Sequence, residues 1–213
     1  MFALTEDDLR SSILGCADGP AGFNAEATRR GVRVVSCDPL YSFSAEQIRA
    51  RIRETREEVI EQTRRNRAEF VWGTIKSIEE LGRIRSEAMG EFLEDFERGK
   101  AEGRYVEATL PALPFADDAF DLALCSHLLF LYTEQLSESF HRRAVVEMCR
   151  VAREVRIFPL LKLGAKPSLH VRPVAESLRR SGLSVSVEVV PYEFQRGGNR
   201  MMRVRRAAMS TPQ

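Results

Sequence analysis

The chain has 213 residues, 44% of them hydrophobic, so it can bury one substantial core, and its length does not require a second domain. Its 32 basic and 31 acidic side chains leave a net charge of +1, which gives the whole molecule no electrostatic preference for nucleic acid or anionic membrane. Four cysteines show no CxxC pairing, the acidic start lacks a secretory pattern, and no stretch approaches the ~18 apolar residues of a membrane span. These features predict a reduced, cytoplasmic protein with no membrane partner.

A short helix is predicted before the first strand. Thr5 is placed to cap its free N–H groups, with Asp8 three residues later, and Leu4 and Leu9 have the spacing of a hydrophobic staple. An apolar run beginning at Ile13 then predicts the first strand.

The stretch from Ile13 to Tyr41 has the order of a nucleotide-cofactor site: strand, tight loop, helix, strand and acid. Small residues in the loop allow a ligand to approach the backbone closely, and the helix that follows points free N–H groups at it. Roughly 20 residues beyond the loop, the carboxylate of Asp38 is placed to accept hydrogen bonds from both ribose hydroxyls. A glycine turn in an ordinary strand-helix-strand unit is the competing interpretation, and the spaced acid favours the cofactor site.

Residues 44–103 form a charged, helical segment between the second and third strands. Ile48, Ile52, Val59 and Thr63 fall on one stripe of an amphipathic helix, and two further helices are predicted after it. This connection of about 60 residues far exceeds a usual loop plus one helix, and long insertions at a ligand edge often act as lids. We expect it to select the substrate, with Trp72 as a candidate anchor. A homodimer surface or a partner-binding helix is the competing use.

The rest of the chain continues to alternate strands and helices. Short buried strands are predicted at 105–106 and 120–124, a fully apolar strand follows in VRIFPLL, and helices are predicted at 137–153 and 173–181. The tail, with a turn at QRGGN, predicts two strands joined by a tight hairpin. Such an order implies an α/β fold whose mostly parallel sheet has one reversed strand near its edge.

With these pieces in order, the sequence resembles the class I S-adenosylmethionine-dependent methyltransferases. GCADGPAGF resembles the cofactor loop of that family, VVSCDP the ribose-binding strand end, and LPFADDAFDLALCSHLLFLY the segment from the adenine pocket into the fourth strand. The resemblance implies a single Rossmann-like domain over residues 1–213, a doubly wound sheet with a C-terminal antiparallel hairpin and a helical insertion between the second and third strands. It also implies S-adenosylmethionine as the cofactor and no metal.

The resemblance implies a cofactor site that runs from the glycine loop to the fourth strand. Its candidate residues are Gly15, Cys16, Ala17, Asp18, Gly19, Gly22, Asp38, Pro39, Thr109, Leu110 and Ser126. Gly15 stands where the family usually has an acid at the end of the first strand, and Asp18 is a substitute for it. Thr109 stands near the adenine-binding acid of the family and offers only a hydroxyl. These departures keep a non-catalytic ligand-binding or protein-binding protein of the same fold as an alternative.

Three side chains are candidates for catalysis. Methyl transfer needs mainly the positioning of two reactants, but a hydroxyl or amine acceptor also needs a base. His127, just after the fourth strand, is the first candidate, and capping of a backbone carbonyl is its competing role. His170, in the loop after the fifth strand, is second, and Tyr132 is expected to line the pocket. His141, inside a helix beside two arginines, is expected at the surface.

The function favoured by these patterns is methyl transfer to a small or medium-sized acceptor. The segment from Arg196 to Arg206 has five arginines and no acid, which would suit an RNA methyltransferase. Strand alternation accounts for Arg203 and Arg205 as solvent-facing edge residues instead, so nucleic acid is not the expected partner. A dinucleotide-dependent reductase fits less well, because the tail hairpin favours the methyltransferase arrangement.

Overall fold

The computed structural model describes residues 1–206, and their strands and helices alternate along the chain. The helices are α1 (Glu6–Arg10), α2 (Phe23–Arg29), α3 (Ala45–Arg65), α4 (Ile78–Ala101), α5 (Glu138–Val151) and α6 (Val171–Arg180). The strands are β1 (Ser12–Cys16), β2 (Arg33–Cys37), β3 (Tyr105–Val106), β4 (Phe120–Ser126), β5 (Ala152–Phe158), β6 (Leu161–Lys162), β7 (Lys166–Pro167), β8 (Leu183–Val189) and β9 (Arg200–Arg206). No helix in this part of the chain combines the length and apolarity needed to cross a membrane.

Seven strands form one sheet in the order β3-β2-β1-β4-β5-β9-β8, and β6 and β7 form a separate pair. Strands β1 to β5 are parallel, whereas β9 runs antiparallel to both of its neighbours. The doubly wound sheet with a C-terminal antiparallel hairpin is therefore confirmed, and the strand order is that of the class I methyltransferase fold. Strand order reverses between β1 and β4, which is where ligands bind in open α/β sheets.

The sheet is covered on both faces, so its central strands are apolar on both sides. On one face α5 and α6 pack over residues such as Leu14 and Val155, and on the other α1 and α2 pack over Ile13 and Leu122. The predicted cap is present at the start of α1, where the Thr5 hydroxyl accepts a hydrogen bond from the Asp8 N–H. All four cysteines are buried, free thiols.

The insertion consists of two long helices, α3 and α4, where the sequence predicted three. The predicted middle helix is replaced by a short 3-10 turn and an irregular stretch at residues 67–77. Its aromatic residues do not continue a helical stripe, because Phe70 and Trp72 pack against Phe194 of the β8–β9 connection. The Trp72 anchor therefore attaches the insertion to the C-terminal hairpin.

The connection between β8 and β9 is ten residues long, at 190–199, and not the tight turn that the sequence predicted. The additional residues of this connection form backbone hydrogen bonds with the insertion. The Val71 N–H donates to the Phe194 carbonyl at 2.8 Å, and the Arg196 N–H donates to the Glu69 carbonyl at 2.7 Å. These bonds attach the segment between α3 and α4 to the connection between β8 and β9.

Three of the four arginines of β9 form ion pairs within the protein. Arg203 and Arg205 both form ion pairs with Glu154 of β5, at 2.7 and 2.6 Å, and Arg206 pairs with Asp118 at 2.9 Å. Guanidinium groups already bound to carboxylates are poor phosphate ligands. The predicted alternation is confirmed, because Met202 and Val204 are buried, but β9 lies between β5 and β8 and is not an edge strand. The carboxylate partners of these arginines, and not protection of a sheet edge, account for their positions.

Candidate cofactor site

The glycine loop leaves β1 at the point where the strand order reverses. Parallel strands bring their carboxyl ends to one edge, so this loop, Asp38 after β2 and Ser126 at the end of β4 lie along the same edge of the sheet. Cys16 faces Cys37 and Cys125 across the neighbouring strands, and its thiol is buried below the loop. Cys16 therefore offers the site only its backbone.

Asp38 holds the loop in place. Its Oδ2 accepts a hydrogen bond from the Gly19 N–H at 2.9 Å, and its Oδ1 accepts one from the Leu40 N–H at 2.8 Å. The Tyr41 hydroxyl donates to the Gly19 carbonyl at 2.9 Å, so the backbone N–H and the backbone carbonyl of Gly19 are both held by hydrogen bonds. Each carboxylate oxygen of Asp38 retains a further lone pair for a ligand hydroxyl.

Asp18 fills the space above Gly15. A Cβ added at Gly15 would lie 1.8 Å from Oδ2 of Asp18, so only glycine leaves room for this carboxylate. The Ser36 hydroxyl donates to the same oxygen at 2.6 Å. Burial raises the pKa of Asp18 to about 6, Ser36 opposes that rise, and the nearby charge of Asp38 adds to it. Asp18 therefore lies directly over Gly15 at the end of β1, and its role as a substitute acid stays a prediction.

The start of α2 is packed directly against the insertion. Gly22, the residue before this helix, has no side chain to cap it, and a Cβ there would lie 3.0 Å from the Ala88 carbonyl of α4. Earlier in the loop, Ala17 has a φ of 57°, in the left-handed region that favours glycine, and its N–H donates to the Cys37 carbonyl at 2.8 Å. The loop is therefore held from below by β2 and from above by α4.

An Asp18→Asn variant should be more stable than the wild-type chain at pH 7, by about 2 kcal/mol. The raised pKa means that the folded state binds the proton of Asp18 more tightly than the unfolded state does. Its contribution to stability is therefore greatest below about pH 4 and falls as the pH rises towards 6, whereas asparagine does not titrate. Urea unfolding from pH 4 to 8 would measure this difference.

Asp7→Asn is the matched control, because Asp7 is an exposed helix residue. A stability gain that is equal at pH 4 and pH 8, or equal in both variants, would contradict the assigned environment of Asp18.

His127 lies at the end of β4 with its ring near the edge of the sheet. Its backbone has a φ of 58°, and its N–H donates to the Phe158 carbonyl at 2.8 Å. The ring does not cap a carbonyl; its Nδ1 lies 2.6 Å from the Ser126 hydroxyl. Surrounding protein lowers the pKa of His127, and the positive charge of Arg85 lowers it further. The ring is therefore neutral near pH 7 and able to accept a proton.

The remaining cofactor and pocket candidates lie in loops of this edge. Thr109 is exposed and forms an isolated bridge with Ala112, whereas Leu110 is buried. Pro39 begins the short 3-10 turn after Asp38. Tyr132 is exposed, and its hydroxyl makes no hydrogen bond within residues 1–206. Its position at the rim is compatible with ligand contact but leaves its catalytic role a prediction.

The two other histidines pack against each other between α5 and the start of α6. His141 is fully buried, so its expected surface position is wrong; its ring stacks on Phe130 and lies 4.9 Å, centroid to centroid, from that of His170. A helix position beside two arginines faces the core here because α6 covers it. His170 Nε2 lies 3.2 Å from the Thr133 carbonyl, and neither ring contacts the glycine loop or His127.

A cavity of about 240 Å³ lies between α3 and α4, with Pro20 of the glycine loop and Leu40 after Asp38 among its lining residues. Arg85 of α4 also lines it and was not among the residues predicted for the site. One pattern in the sequence does point to it: Leu81, Arg85 and Phe92 lie on one face of α4, so a cation interrupts an apolar stripe.

This chain is similar in sequence to another protein over nearly its whole length. No protein-family model matches it. An uncharacterized protein of Methanocaldococcus jannaschii, MJ0045, is 30% identical over 207 residues, which span 97% of this chain and 90% of that protein.

Several solved structures show weaker likeness. The PH0226 protein of Pyrococcus horikoshii has a TM-score of 0.49 and 11% identity, covering 93% of this chain and 82% of that one. Magnesium protoporphyrin IX methyltransferase of Synechocystis with bound S-adenosylmethionine has a TM-score of 0.48 and 11% identity, covering 92% and 70%. A TehB-like methyltransferase of Corynebacterium glutamicum has a TM-score of 0.48 and 14% identity, covering 93% and 81%. The fold assignment depends on the strand order and directions described above.

Proposed function

We propose that this chain, which belongs to the same family as the Methanocaldococcus jannaschii protein and has the class I methyltransferase fold, is an S-adenosylmethionine-dependent methyltransferase with a small-molecule acceptor. The observation that supports this most is the bond between Asp38 and Gly19. It joins an acid at the end of β2 to a glycine loop at the end of β1, at the point where the strand order reverses. This is where the fold binds a nucleoside cofactor.

The residues present fit such a cofactor. The free lone pairs of Asp38 would accept hydrogen bonds from the ribose hydroxyls, and the backbone of the Gly15–Gly22 loop would contact the methionine portion. Asp18, fixed by Ser36 beside this loop, would place a negative charge near the cationic end of the cofactor. Leu110 and Thr109 would lie on the adenine side. When bound, the cofactor supplies a methyl group activated by a positively charged sulfur.

His127 is the proposed general base for a hydroxyl or amine acceptor. Its neutral ring would take the proton that such an acceptor must lose, and the Ser126 hydroxyl at Nδ1 would orient the ring. The insertion would exclude water from this region, because α4 packs on the glycine loop and the segment between α3 and α4 is bonded to the β8–β9 connection. We also propose a cytoplasmic location, which suits four free, buried thiols.

Calorimetric titration of the purified chain with S-adenosylmethionine and S-adenosylhomocysteine tests the proposal directly. We expect both ligands to bind with dissociation constants on the order of micromolar, and NADH not to bind. Binding of NADH alone would favour a reductase, and a folded chain that binds none of the three would reject the cofactor site.

A non-catalytic protein of the same fold is the second candidate. Both oxygens of Asp38 already hold backbone N–H groups, and Thr109 has no carboxylate with which to bind adenine. A pocket kept closed by these internal bonds would serve as a scaffold instead of a reaction site. The same titration separates the two candidates, since the scaffold predicts no binding of either sulfur ligand.

A further inference from the structure

The cavity between α3 and α4 has an aliphatic wall and adjoins the glycine loop. Pro20 follows Gly19 and Leu40 binds Asp38 through its N–H, and both residues line the cavity. The apolar side chains along its helical walls are Ile48, Ile52, Val59, Ile60 and Met89. Its volume of about 240 Å³ equals that of roughly eight liquid waters, so it suits a small molecule and not a macromolecule.

The charges that line the cavity are all positive. Arg51, Arg56 and Arg85 contribute to its lining, and no aspartate or glutamate in the described part of the chain does. Arg51 forms an ion pair with Glu54 on the outer side of α3. Arg56 and Arg85, by contrast, make no hydrogen bond or ion pair within residues 1–206, and of these two Arg85 is the one that belongs to α4. Charge complementarity therefore favours an anionic ligand over a neutral or cationic one.

Arg85 connects the cavity to the His127 end of the site. Desolvation lowers the pKa of Arg85. The charge of Arg85 adds to the desolvation that lowers the pKa of His127, and it opposes the burial that raises the pKa of Tyr192 in the β8–β9 connection. Arg85 is exposed to solvent. Because its guanidinium has no carboxylate partner within residues 1–206, it is available for a bidentate pair with a carboxylate ligand.

We infer that the methyl acceptor is an amphipathic anion: a small carboxylic acid whose apolar body occupies this cavity and whose carboxylate binds Arg85. That the ligand is a methyl acceptor rests on the proposed methyltransferase function. That the site binds an anion is inferred independently, from the cavity and the charges that line it. The aliphatic wall selects the body of the ligand, and the unpaired guanidinium selects its head group.

Decanoate is a suitable calorimetric probe, because it combines a carboxylate with an unbranched apolar chain. We expect it to bind the wild-type chain, whereas decylamine and 1-decanol, with the same chain and a different head group, should bind at least about tenfold more weakly. An Arg85→Gln variant should bind decanoate at least about tenfold more weakly, because it loses a charge-assisted pair with the carboxylate.

Arg83→Gln is the matched control. Arg83 lies two residues away on the same helix, pairs with Glu87 on the solvent side and does not line the cavity, so decanoate binding should be unchanged. Arg85→Lys keeps the charge and should restore part of the affinity. If Arg85→Gln fails to fold, the comparison of the three head groups on the wild-type chain still decides the matter.

Equal binding of decanoate and decylamine, or full affinity in a folded Arg85→Gln variant, would overturn the anion site. Titration of the same samples with S-adenosylhomocysteine keeps the two proposals apart. Decanoate selectivity without S-adenosylhomocysteine binding would reject the methyltransferase function and leave the anion site, whereas the opposite result would reject the anion site alone.

Discussion

An Asp38→Ala variant should bind S-adenosylhomocysteine roughly a hundredfold more weakly than the wild-type chain. The substitution removes the acceptors for two ribose hydroxyls, and each charge-assisted hydrogen bond contributes about 1.5–3 kcal/mol. It also releases the Gly19 and Leu40 N–H groups that fix the glycine loop. Both effects act on the same ligand, so calorimetric affinity measures their sum.

Asp38→Asn separates the two effects. Its amide oxygen still accepts one backbone N–H, so the loop should remain closer to its native position while the negative charge is lost. We expect an affinity between those of Asp38→Ala and the wild type. Wild-type affinity in a folded Asp38→Ala variant would refute the placement of ribose at this carboxylate.

An Arg104→Leu variant should lose about 3 kcal/mol or more of unfolding free energy. The Arg104 guanidinium binds the buried Asp95 carboxylate through two bonds, at 2.5 and 2.9 Å, and also donates to the Asn24 side chain of α2 at 3.0 Å. The Tyr105 hydroxyl donates to the same carboxylate at 3.0 Å. Removing one partner of a buried pair leaves its charge poorly compensated, which is strongly destabilising. Denaturant unfolding monitored by circular dichroism measures the loss.

Arg98→Leu is the matched control, because Arg98 binds the same carboxylate at 2.6 Å from the surface. Its side chain is 66% exposed, against 11% for Arg104, so its loss should cost less than about 1 kcal/mol. Equal losses in the two variants would contradict the dominant role of Arg104.

The Arg104 effect should also depend on pH. Hydrogen bonding to Arg104 is the largest cause that lowers the pKa of Asp95, to about 2 from its ordinary 3.8. A lowered carboxyl pKa stabilises the folded state fully above the unfolded pKa, and this stabilisation is lost as pH falls from about 4 towards 2. The gap between wild type and Arg104→Leu should therefore narrow over that range, and a constant gap would assign the loss to packing.

The sequence by itself determined the strand-loop-helix-strand unit and the general fold. Local patterns were sufficient there, because the glycine loop, the apolar strands and the spacing to Asp38 can each be recognised within a short stretch of sequence. The terminal hairpin and the insertion were predicted for the same reason. Cofactor identity came from resemblance, since no single residue type specifies a sulfur ligand.

Tertiary structure decided the features that depend on contacts between distant segments. Only the folded chain shows that Asp18 lies over Gly15 and that α6 covers His141. The contact between Phe194 of the β8–β9 connection and Phe70 of the insertion is likewise visible only in the folded chain. Arg85 became a candidate ligand-binding residue for the same reason, because it lines a cavity formed by two helices and the glycine loop. Periodicity assigns a side chain to a face of its own helix, but the surface that covers this face is set by segments far away in the sequence.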